Sequence, residues 1–413
     1  MFDFSSFLSN KAFITEDHHV YTYADLLGLS ERFSEHLVPR SLIFIGCENS
    51  LESIVAYVSC LRSGVVPLLL SRDVPDETLY HLEAIYHPRY CWFPSRRDLL
   101  VKGKEKYSLG GYSLIQYDGD SPVLPEGLAL LLTTSGSTGS PKLVRLSHDN
   151  LKSNACSIIE YLKITSSEKA ITSLPMYYSY GLSVLNSHLL AGATLLLTDK
   201  SYVQREFWKF VLEEKATSFA GVPFTYEILK KMRFEKFLPS SVKVMTQAGG
   251  KLNSSLIKYF SEYARLHDIR FYVMYGQTEA TARMSYLPAE YTLNKVGSVG
   301  VAIPGGHFSL IDEDGMRIVS PNVEGELVYE GSNVFWGYAE SLDDLFKGDE
   351  NKGILYTGDL AYVDSEGFYY ISGRKKRFLK LYGNRISLDF VESIVKDHCQ
   401  ECACVCLLYT SPS

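Results

Sequence analysis

The 413-residue sequence lacks any long apolar run that is free of charged residues. Its most apolar early segment, residues 53–70, contains Arg62 and Gly64, and it predicts a buried helix followed by a strand rather than a membrane span. A targeting segment is lacking as well, because Asp3 stands where a signal peptide carries basic residues and Lys11 soon follows. We therefore expect no membrane span and no targeting segment.

The chain also has no excess of basic residues. Its 41 Lys and Arg against 48 Asp and Glu give a formal net charge of −7, and neither nucleic acids nor anionic membranes attract an acidic protein. The basic run at residues 374–380 is a local exception, but it has no wider basic surround. A nucleic-acid-binding protein built around this run is therefore disfavoured, and we expect no nucleic-acid partner.

Disulfide and metal-site spacings are lacking among the eight cysteines. Four of them lie far apart within apolar patterns, and four lie near the end of the sequence, at Cys399, Cys402, Cys404 and Cys406. The last three alternate, so in a strand their sulfurs would share one face roughly 7 Å apart, too far for one metal ion. A zinc or iron–sulfur site is thus disfavoured, and the absence of a disulfide framework predicts a reducing, cytoplasmic location.

What the sequence does have is an alternation of helical and strand patterns over its first two thirds. Helical patterns occupy residues 23–37, 51–62, 207–214 and 254–266. Strand patterns occupy residues 41–45, 65–70, 218–222 and 270–275. This alternation predicts right-handed βαβ units around a parallel sheet. From residue 296 onward, short strand patterns separated by turn signals such as Asp314-Gly315 predict a β-rich subdomain.

A candidate phosphate loop follows the wholly apolar run at residues 128–132, which predicts a buried strand. The loop, residues 133–142, is rich in serine and threonine and contains Gly136, Gly139 and Lys142. The glycines allow the backbone to approach a ligand closely. Backbone N–H groups, hydroxyls and the lysine amine all donate to phosphate oxygens, so the segment is suited to binding phosphates.

This loop is not the P-loop motif G-x-x-x-x-G-K-[ST]. Pro141 stands at the place of the second glycine, and Leu143 follows Lys142. A flexible Ser/Gly loop without a ligand is the alternative. The helical pattern predicted at residues 148–161, capped near Ser147, favours a phosphate loop between a strand and a helix.

Three shorter motifs place polar residues after apolar strand patterns. Residues 275–279, Tyr-Gly-Gln-Thr-Glu, close a predicted strand at the end where open α/β sheets bind ligands; they suit a base, a phosphate and Mg²⁺. Residues 247–250, Gln-Ala-Gly-Gly, suit packing against a flat base. Residues 356–359, Tyr-Thr-Gly-Asp, place a carboxylate after a tight turn, where it suits ribose hydroxyls. For each motif, an ordinary turn is the alternative.

Taken in order, these segments resemble those of the adenylate-forming superfamily, which includes acyl-CoA synthetases, luciferases and the adenylation domains of peptide synthetases. The resemblance covers nearly the whole chain. It implies an acid–thiol ligase that uses ATP and Mg²⁺ to convert a carboxylic acid to an acyl-adenylate with release of pyrophosphate. Thioester formation with coenzyme A or a carrier-protein phosphopantetheine would follow, so an acyl carrier protein is a further expected partner.

The implied fold is α/β. A large N-terminal domain, residues 1–375, would comprise two α/β subdomains with parallel sheets (1–295) and a β-rich subdomain (296–375). Residues 376–413 would form the hinge and the start of a small α+β C-terminal domain. In the family, rotation at the hinge, here Lys376, switches the enzyme from adenylation to thioester formation.

The resemblance also implies roles for individual residues. The loop would bind the β- and γ-phosphates through Thr134, Ser135, Gly136, Ser137, Thr138, Gly139 and Lys142. The rest of the nucleotide would contact Gly249, Gly250, Tyr275, Gly276, Thr278, Asp359 and Arg374. Catalysis is assigned to Lys142, Thr278 and Glu279, with Glu279 as the metal ligand.

The acid would bind in a pocket lined by residues 178–181, 222–226, 246–250 and 277–284. Its proposed contacts are Tyr178, Ser179, Tyr180, Gly181 and Val222. Tyr178 stands where many family members have histidine, so a gating role is not transferred to it. Amino-acid-activating relatives hold the substrate ammonium with an acidic residue here, and residues 174–184 contain none. Since a buried, unpaired ammonium is costly, a fatty, aryl or other small acid without an α-amino group is favoured.

One family residue has no counterpart, the lysine near the end of the small domain that bridges the acid and the α-phosphate. After Lys380 the sequence has only Lys396, in a different context. Loss of such a charge typically lowers the rate about 10²–10³-fold. We therefore expect this chain to bind ATP but to adenylate poorly by itself. The alternative is a nucleotide- or acyl-adenylate-binding module that acts with a partner.

Overall fold

The computed structural model describes residues 2–95, 103–133 and 142–375, the backbone of residues 378–381 and 384–387, and residue 395. Several predicted residues lie outside these ranges, namely Thr134, Ser135, Gly136, Ser137, Thr138, Gly139, Lys376, Cys399, Cys402, Cys404 and Cys406. In the part that is described, no helix combines the length and the apolar character needed to cross a membrane.

The helices alternate with strands through most of the chain. They are α1 (Tyr23–Ser34), α2 (Leu51–Ser63), α3 (Asp76–Tyr86), α4 (His148–Leu162), α5 (Ser179–Leu190), α6 (Arg205–Glu213), α7 (Pro223–Lys231) and α8 (Ser254–Leu266). The predicted helix at residues 254–266 matches α8 at both ends, and the other four predicted helices overlap α1, α2, α4 and α6.

The first sheet, within the described residues, has the strand order β20-β9-β8-β4-β3-β5-β7-β6. Its strands are β3 (Leu42–Cys47), β4 (Val66–Ser71), β5 (Tyr90–Pro94), β6 (Gly103–Leu109), β7 (Tyr112–Tyr117), β8 (Leu128–Thr133), β9 (Leu143–Ser147) and β20 (Gly337–Ala339). The central strands β8, β4, β3 and β5 are parallel. Every residue of β3 is buried, as expected for a parallel strand covered on both faces.

The second sheet has the order β16-β15-β14-β13-β12-β10-β11-β1-β2. Its strands are β1 (Lys11–Ile14), β2 (Val20–Thr22), β10 (Lys169–Ile171), β11 (Thr194–Leu196), β12 (Ser218–Gly221), β13 (Val244–Gln247), β14 (Arg270–Tyr275), β15 (Ser285–Leu287) and β16 (Val301–Ala302). The strands from β14 to β1 are parallel. Strand β14 has the bounds predicted from the sequence, and the N-terminal hairpin β1–β2 joins this sheet by pairing Phe13 with Leu195.

The third sheet is antiparallel, with the order β18-β17-β19-β21-β22. Its strands are β17 (Gly306–Ile311), β18 (Arg317–Ile318), β19 (Gly325–Gly331), β21 (Ile354–Val363) and β22 (Tyr369–Arg374). A hairpin of β23 (Phe378–Leu381) and β24 (Asn384–Ser387) follows. The predicted α/β fold, with two sheets built on parallel strands and a β-rich part after them, is therefore confirmed.

Two local predictions are wrong. The candidate phosphate loop leads into strand β9, which pairs antiparallel with β8, and only then into helix α4. The five residues of β9 are too few to show a period of their own, and pairing with β8 makes them a strand. Asp359 lies within strand β21 rather than after a tight turn. The positive φ of Gly358, +69°, interrupts the regular strand just before it.

Helix α4 begins with a capping box, as predicted near Ser147. The Ser147 hydroxyl accepts from the backbone N–H of Asn150, and the Asn150 side chain accepts from the backbone N–H of Ser147. The amide nitrogen of Asn150 also donates to the carbonyls of Ser332 and Val334, at 2.7 and 2.8 Å. The cap thereby ties the start of α4 to the segment that enters β20.

We predict that Asn150→Ala lowers the free energy of unfolding by about 2–4 kcal/mol, because it removes the Asn150 half of the capping box and leaves two carbonyls without their donor. Ser147→Ala removes only the cap and is expected to cost about 1 kcal/mol. Urea unfolding of both variants measures the difference. An equal loss in the two variants would show that the carbonyl contacts of Asn150 contribute nothing.

Candidate active site

The carboxylate of Asp359 gathers donors from two sheets. Asp359 is 4% exposed. Its Oδ2 accepts from the hydroxyl of Tyr275 at 2.5 Å and from the amide nitrogen of Gln277 at 2.9 Å. Its Oδ1 lies 3.3 Å from Nε of Arg374, the residue directly across from it on β22. Burial, together with the neighbouring Asp359, raises the pKa of Tyr275 far above its usual value, so the phenol stays a donor.

This cluster joins three residues that the sequence assigned to the nucleotide, Tyr275, Asp359 and Arg374. Gln277 is a fourth member, since it also donates to the carbonyl of Thr357 at 3.0 Å. From the sequence, Gln277 is expected to line the acid pocket and not to contact the nucleotide, although it lies inside the 275–279 motif. A buried carboxylate with side-chain donors and a facing guanidinium is well suited to bind vicinal hydroxyls.

A second cluster surrounds Tyr338 of β20. Its hydroxyl donates to Oε1 of Glu279 at 2.7 Å, and the backbone N–H of Phe335 donates to the carbonyl of Glu279 at 2.8 Å. The Lys142 amine lies 5.7 Å from the centroid of the Tyr338 ring and 2.6 Å from Oε1 of Glu340. Burial and the adjacent Glu279 raise the pKa of Tyr338. The predicted catalytic residues Lys142 and Glu279 therefore both contact Tyr338.

Strand pairing brings Lys142 to this place. Lys142 immediately precedes β9, and β20 pairs with β9 so that Tyr338 lies opposite Val144. The guanidinium of Arg145, on β9, is fully buried and donates to carbonyls of Trp336, Tyr338, Lys347 and Gly348 and to the carboxylate of Glu350. No local pattern marks Tyr338 as a partner of Glu279, because the two are far apart in the sequence.

Glu279 is the candidate metal ligand. The described residues contain no group of three or more His, Cys, Asp or Glu side chains placed to hold a metal ion together. A single half-buried carboxylate still suits Mg²⁺, which binds oxygen, keeps several waters and completes its shell with substrate phosphates. The residues present thus fit Mg²⁺ delivered with a nucleotide.

The predicted acid-pocket residues lie next to Thr278. The Ser179 hydroxyl is 3.1 Å from that of Thr278. Gly249 has φ +82°, and a Cβ there would lie 2.4 Å from the Tyr178 hydroxyl and 3.2 Å from Cγ1 of Val222. A side chain at Gly249 would therefore fill the space between these residues, which explains the glycine.

Two further glycines allow close packing at this end of the second sheet. A Cβ at Gly181 would lie 2.2 Å from the carbonyl oxygen of Pro175, and one at Gly250 would lie 3.1 Å from the ring of Pro223. Deeper in the same region, the hydroxyl of Tyr180 lies 2.8 Å from that of Thr246. The predicted acid-pocket residues are thus brought together, whereas residues 134–139 of the phosphate loop lie outside the described part.

The comparison with known proteins gives one family. The model of the AMP-binding enzyme family matches residues 6–339. A 2-succinylbenzoate–CoA ligase of Bacillus cereus is 31% identical over 412 residues, which cover 95% of this chain and 83% of that protein. Another from Bacillus cytotoxicus is 31% identical over 270 residues, which cover 65% of this chain and 54% of that protein.

Solved structures share the fold. The o-succinylbenzoate CoA synthetase MenE of Bacillus subtilis, in complex with the acyl-adenylate intermediate OSB-AMP, aligns with a TM-score of 0.76 at 24% identity. The alignment covers 94% of this chain and 80% of that one. The N-terminal domain of FACL13 from Mycobacterium tuberculosis aligns with a TM-score of 0.75 at 18% identity, covering 90% and 97%.

The fold, the two clusters and these matches define an AMP-forming acid–thiol ligase of the adenylate-forming superfamily. The chain belongs to the AMP-binding enzyme family. The predicted activity is thereby confirmed: the protein activates a carboxylic acid with ATP as an acyl-adenylate. Its relatives are named as CoA ligases, and one solved structure of the same fold is a complex with ATP and a magnesium ion.

We predict that Gly276→Ala lowers the affinity for MgATP at least about tenfold. A Cβ at Gly276 would lie 1.5 Å from the carbonyl oxygen of Ala282, so the neighbouring Tyr275 and Gln277 must move away from Asp359. Calorimetric titration of MgATP measures the change.

The matched control is Gly28→Ala, which places a Cβ in open space within helix α1. It is expected to leave the affinity unchanged and the helix equally or more stable. Equal MgATP affinity in Gly276→Ala and in the unaltered protein would contradict the prediction.

Proposed function

We propose that this chain joins a carboxylic acid without an α-amino group to coenzyme A, and that both half-reactions take place at the carboxyl end of β14. The observation that carries the proposal is the position of residues 275–279. Tyr275 and Gln277 donate to Asp359, while Thr278 and Glu279 contact Ser179 and Tyr338. One short segment thus joins a nucleotide-binding cluster to an acid pocket.

In the first half-reaction, a carboxylate oxygen of the acid attacks the α-phosphorus of ATP in line, and pyrophosphate leaves. The barrier comes largely from crowding negative charge, so positioned cations and donors lower it. We assign Lys142 to the phosphates and the hydroxyl of Thr278 to the α-phosphate. Glu279 would hold Mg²⁺, which would neutralise phosphate charge.

In the second half-reaction, the thiol of coenzyme A attacks the acyl carbon, loses its proton, and AMP leaves. We propose coenzyme A as the acceptor, because the matched relatives are named as CoA ligases. A carrier-protein pantetheine has the same thiol and is the alternative acceptor. Thioester formation measured with coenzyme A and with a carrier protein distinguishes the two. We also propose the division into residues 1–375 and 376–413, with Lys376 as the hinge.

For the nucleotide, we propose that Asp359 accepts from the ribose hydroxyls, with Arg374 beside it. Tyr275, Gly249, Gly250 and Gly276 would pack around the adenine. The phosphate loop formed by Thr134, Ser135, Gly136, Ser137, Thr138 and Gly139 stays a proposal that rests on the family resemblance. In the sequence these residues lie between β8 and β9, which pair with each other antiparallel.

For the acid, we propose contacts with Tyr178, Ser179, Tyr180, Gly181 and Val222. The pocket has tyrosine and serine side chains and no acidic residue between 174 and 184, which disfavours an ammonium-bearing substrate. 2-Succinylbenzoate, for which the matched relatives are named, is the first acid to test.

We further propose that the protein acts in a reducing compartment such as the cytoplasm. Of the described cysteines, Cys47 and Cys60 are buried free thiols, Cys91 is buried, and Cys156 is an exposed free thiol. Burial raises the pKa of Cys47 and Cys60 above its ordinary value. These residues are therefore inert core thiols.

We predict that Lys142→Ala lowers acid-dependent exchange of pyrophosphate into ATP by about 10²–10³-fold, because it removes a cation that stabilises the negative charge developing on the phosphates. Glu279→Gln is expected to raise the Mg²⁺ concentration needed for half-maximal exchange, since an amide is a weaker magnesium ligand than a carboxylate. Both are measured by exchange of labelled pyrophosphate at varied Mg²⁺.

Lys258→Ala, at an exposed position on α8, is the matched control and should exchange at the unaltered rate. If exchange is the same with and without Lys142, or independent of any added acid, the ligase assignment of these residues is wrong.

We predict that Asp359→Asn abolishes discrimination between ATP and 3′-deoxy-ATP. The unaltered protein should favour ATP by about tenfold or more in kcat/KM, because a buried carboxylate bonded to a ribose hydroxyl loses its partner in the deoxy analogue. A variant that still prefers ATP to the same degree would place the ribose elsewhere.

A further inference from the structure

The hydroxyl of Tyr338 holds one oxygen of the candidate metal ligand. Tyr338 lies on β20 and is 39% exposed. Its hydroxyl donates to Oε1 of Glu279 at 2.7 Å. The main chain of Glu279 is held as well, because its carbonyl accepts from the backbone N–H of Phe335 at 2.8 Å. One short segment, residues 335–338, therefore contacts Glu279 at both its main chain and its side chain.

A fixed carboxylate is a better metal ligand than a free one. The side chain of a glutamate has several rotatable bonds, and it loses this freedom when it binds a metal ion. A carboxylate has two oxygens, so a hydrogen bond to one of them leaves the other able to bind the metal. Removing a group that orients a metal-binding side chain typically costs about 10–100-fold in metal affinity. The hydroxyl of Tyr338 is placed to orient Glu279 in this way.

The strand that carries Tyr338 is itself held in place. It pairs with β9 so that Tyr338 lies opposite Val144. The buried guanidinium of Arg145 donates to the carbonyl of Tyr338 at 3.3 Å. The ring of Phe335 packs against the ring of Tyr338 at a steep angle, with the centroids 4.8 Å apart. The position of the hydroxyl is therefore set by the first sheet, whereas Glu279 follows β14 of the second sheet.

The ring of Tyr338 has a different partner from its hydroxyl. The amine of Lys142 lies 5.7 Å from the centroid of the ring, within the range of a cation–π attraction. The ring thus contacts the residue proposed for the phosphates, and the hydroxyl contacts the residue proposed for the metal. A phenylalanine at this position would keep the ring and remove only the hydroxyl. The contribution of the hydroxyl can therefore be measured by itself.

We infer that Tyr338 is a positioning residue for magnesium binding: its hydroxyl orients the carboxylate of Glu279 for the Mg²⁺ that arrives with ATP. The inference rests on the proposed role of Glu279 as the metal ligand. It adds a residue from a different sheet, outside the 275–279 segment. Metal binding then depends on the contact between β20 and the end of β14.

The test removes the hydroxyl and measures metal binding without turnover. In Tyr338→Phe, the Mg²⁺ concentration needed for half-maximal ATP binding should rise about 10–100-fold, because Glu279 is no longer oriented. Calorimetric titration of ATP at varied Mg²⁺, with no acid present, measures this shift. Electron paramagnetic resonance of Mn²⁺ added to the protein with ATP gives the metal affinity directly, and this affinity should fall by a similar factor.

A double-mutant cycle separates positioning from a general loss of structure. Glu279→Ala should weaken the binding of Mn²⁺ by itself. Adding Tyr338→Phe to Glu279→Ala should cause little further loss, because the hydroxyl then has no carboxylate to orient. A purely structural effect of Tyr338→Phe would instead lower the Mn²⁺ affinity by the same factor with and without Glu279.

Tyr291→Phe is the matched control. Tyr291 is likewise 39% exposed and packs against another aromatic ring, that of Phe368, with the centroids 4.9 Å apart. This variant should bind Mn²⁺ and ATP as the unaltered protein does.

Two results would overturn the inference and leave the proposed function intact. They are an unchanged Mn²⁺ affinity in Tyr338→Phe, and an equal loss with and without Glu279. If Glu279→Ala binds Mn²⁺ as tightly as the unaltered protein, the proposed metal ligand itself is wrong, and the inference is wrong with it.

Discussion

The buried carboxylate of Asp359 is the interaction on which the geometry of the site depends. It lies on β21 in the third sheet, yet two of its donors, Tyr275 and Gln277, come from the end of β14 in the second sheet. Its third partner, Arg374, faces it from the neighbouring strand β22. A buried charge is tolerated only where such donors satisfy it. The donors of Asp359 come from both sheets, so its hydrogen bonds fix the end of β14 against β21.

The first sheet contributes the cation by a different route. Lys142 is placed by the pairing of β9 with β20, and the buried guanidinium of Arg145 holds the segments on either side of β20 by their carbonyl groups. The hydroxyl of Tyr338 on β20 then donates to Glu279, which follows β14 of the second sheet. Lys142, Glu279 and Asp359, for which the phosphate, metal and ribose contacts are proposed, thus lie in or next to strands of three different sheets. The site exists only where those sheets meet.

Local physics explains which parts could be predicted from the sequence. Helix α8 and strand β14 follow from apolar periodicity, and the start of α4 follows from its Ser147 cap, because these signals lie within a few residues of one another. The motifs at residues 247–250 and 275–279 could be found because each begins at the end of a buried strand, whereas residues 356–359 lie within β21. The pairing of β1 with β11, of β20 with β9, and of Tyr338 with Glu279 joins distant segments, and no local pattern encodes such partners.

The setting of Arg283 shows how much chemical information such distant contacts carry. Helix α5 is buried along most of its length, and its polar side chains bond mainly within the helix: Ser183 to the carbonyl of Tyr180, Ser187 to that of Ser183, and His188 to that of Val184. A helix of this kind offers dipoles and no charge. Arg283 is placed against this helix, and its guanidinium is held by the hydroxyls of Ser183 and Tyr161 and by the face of the Tyr180 ring.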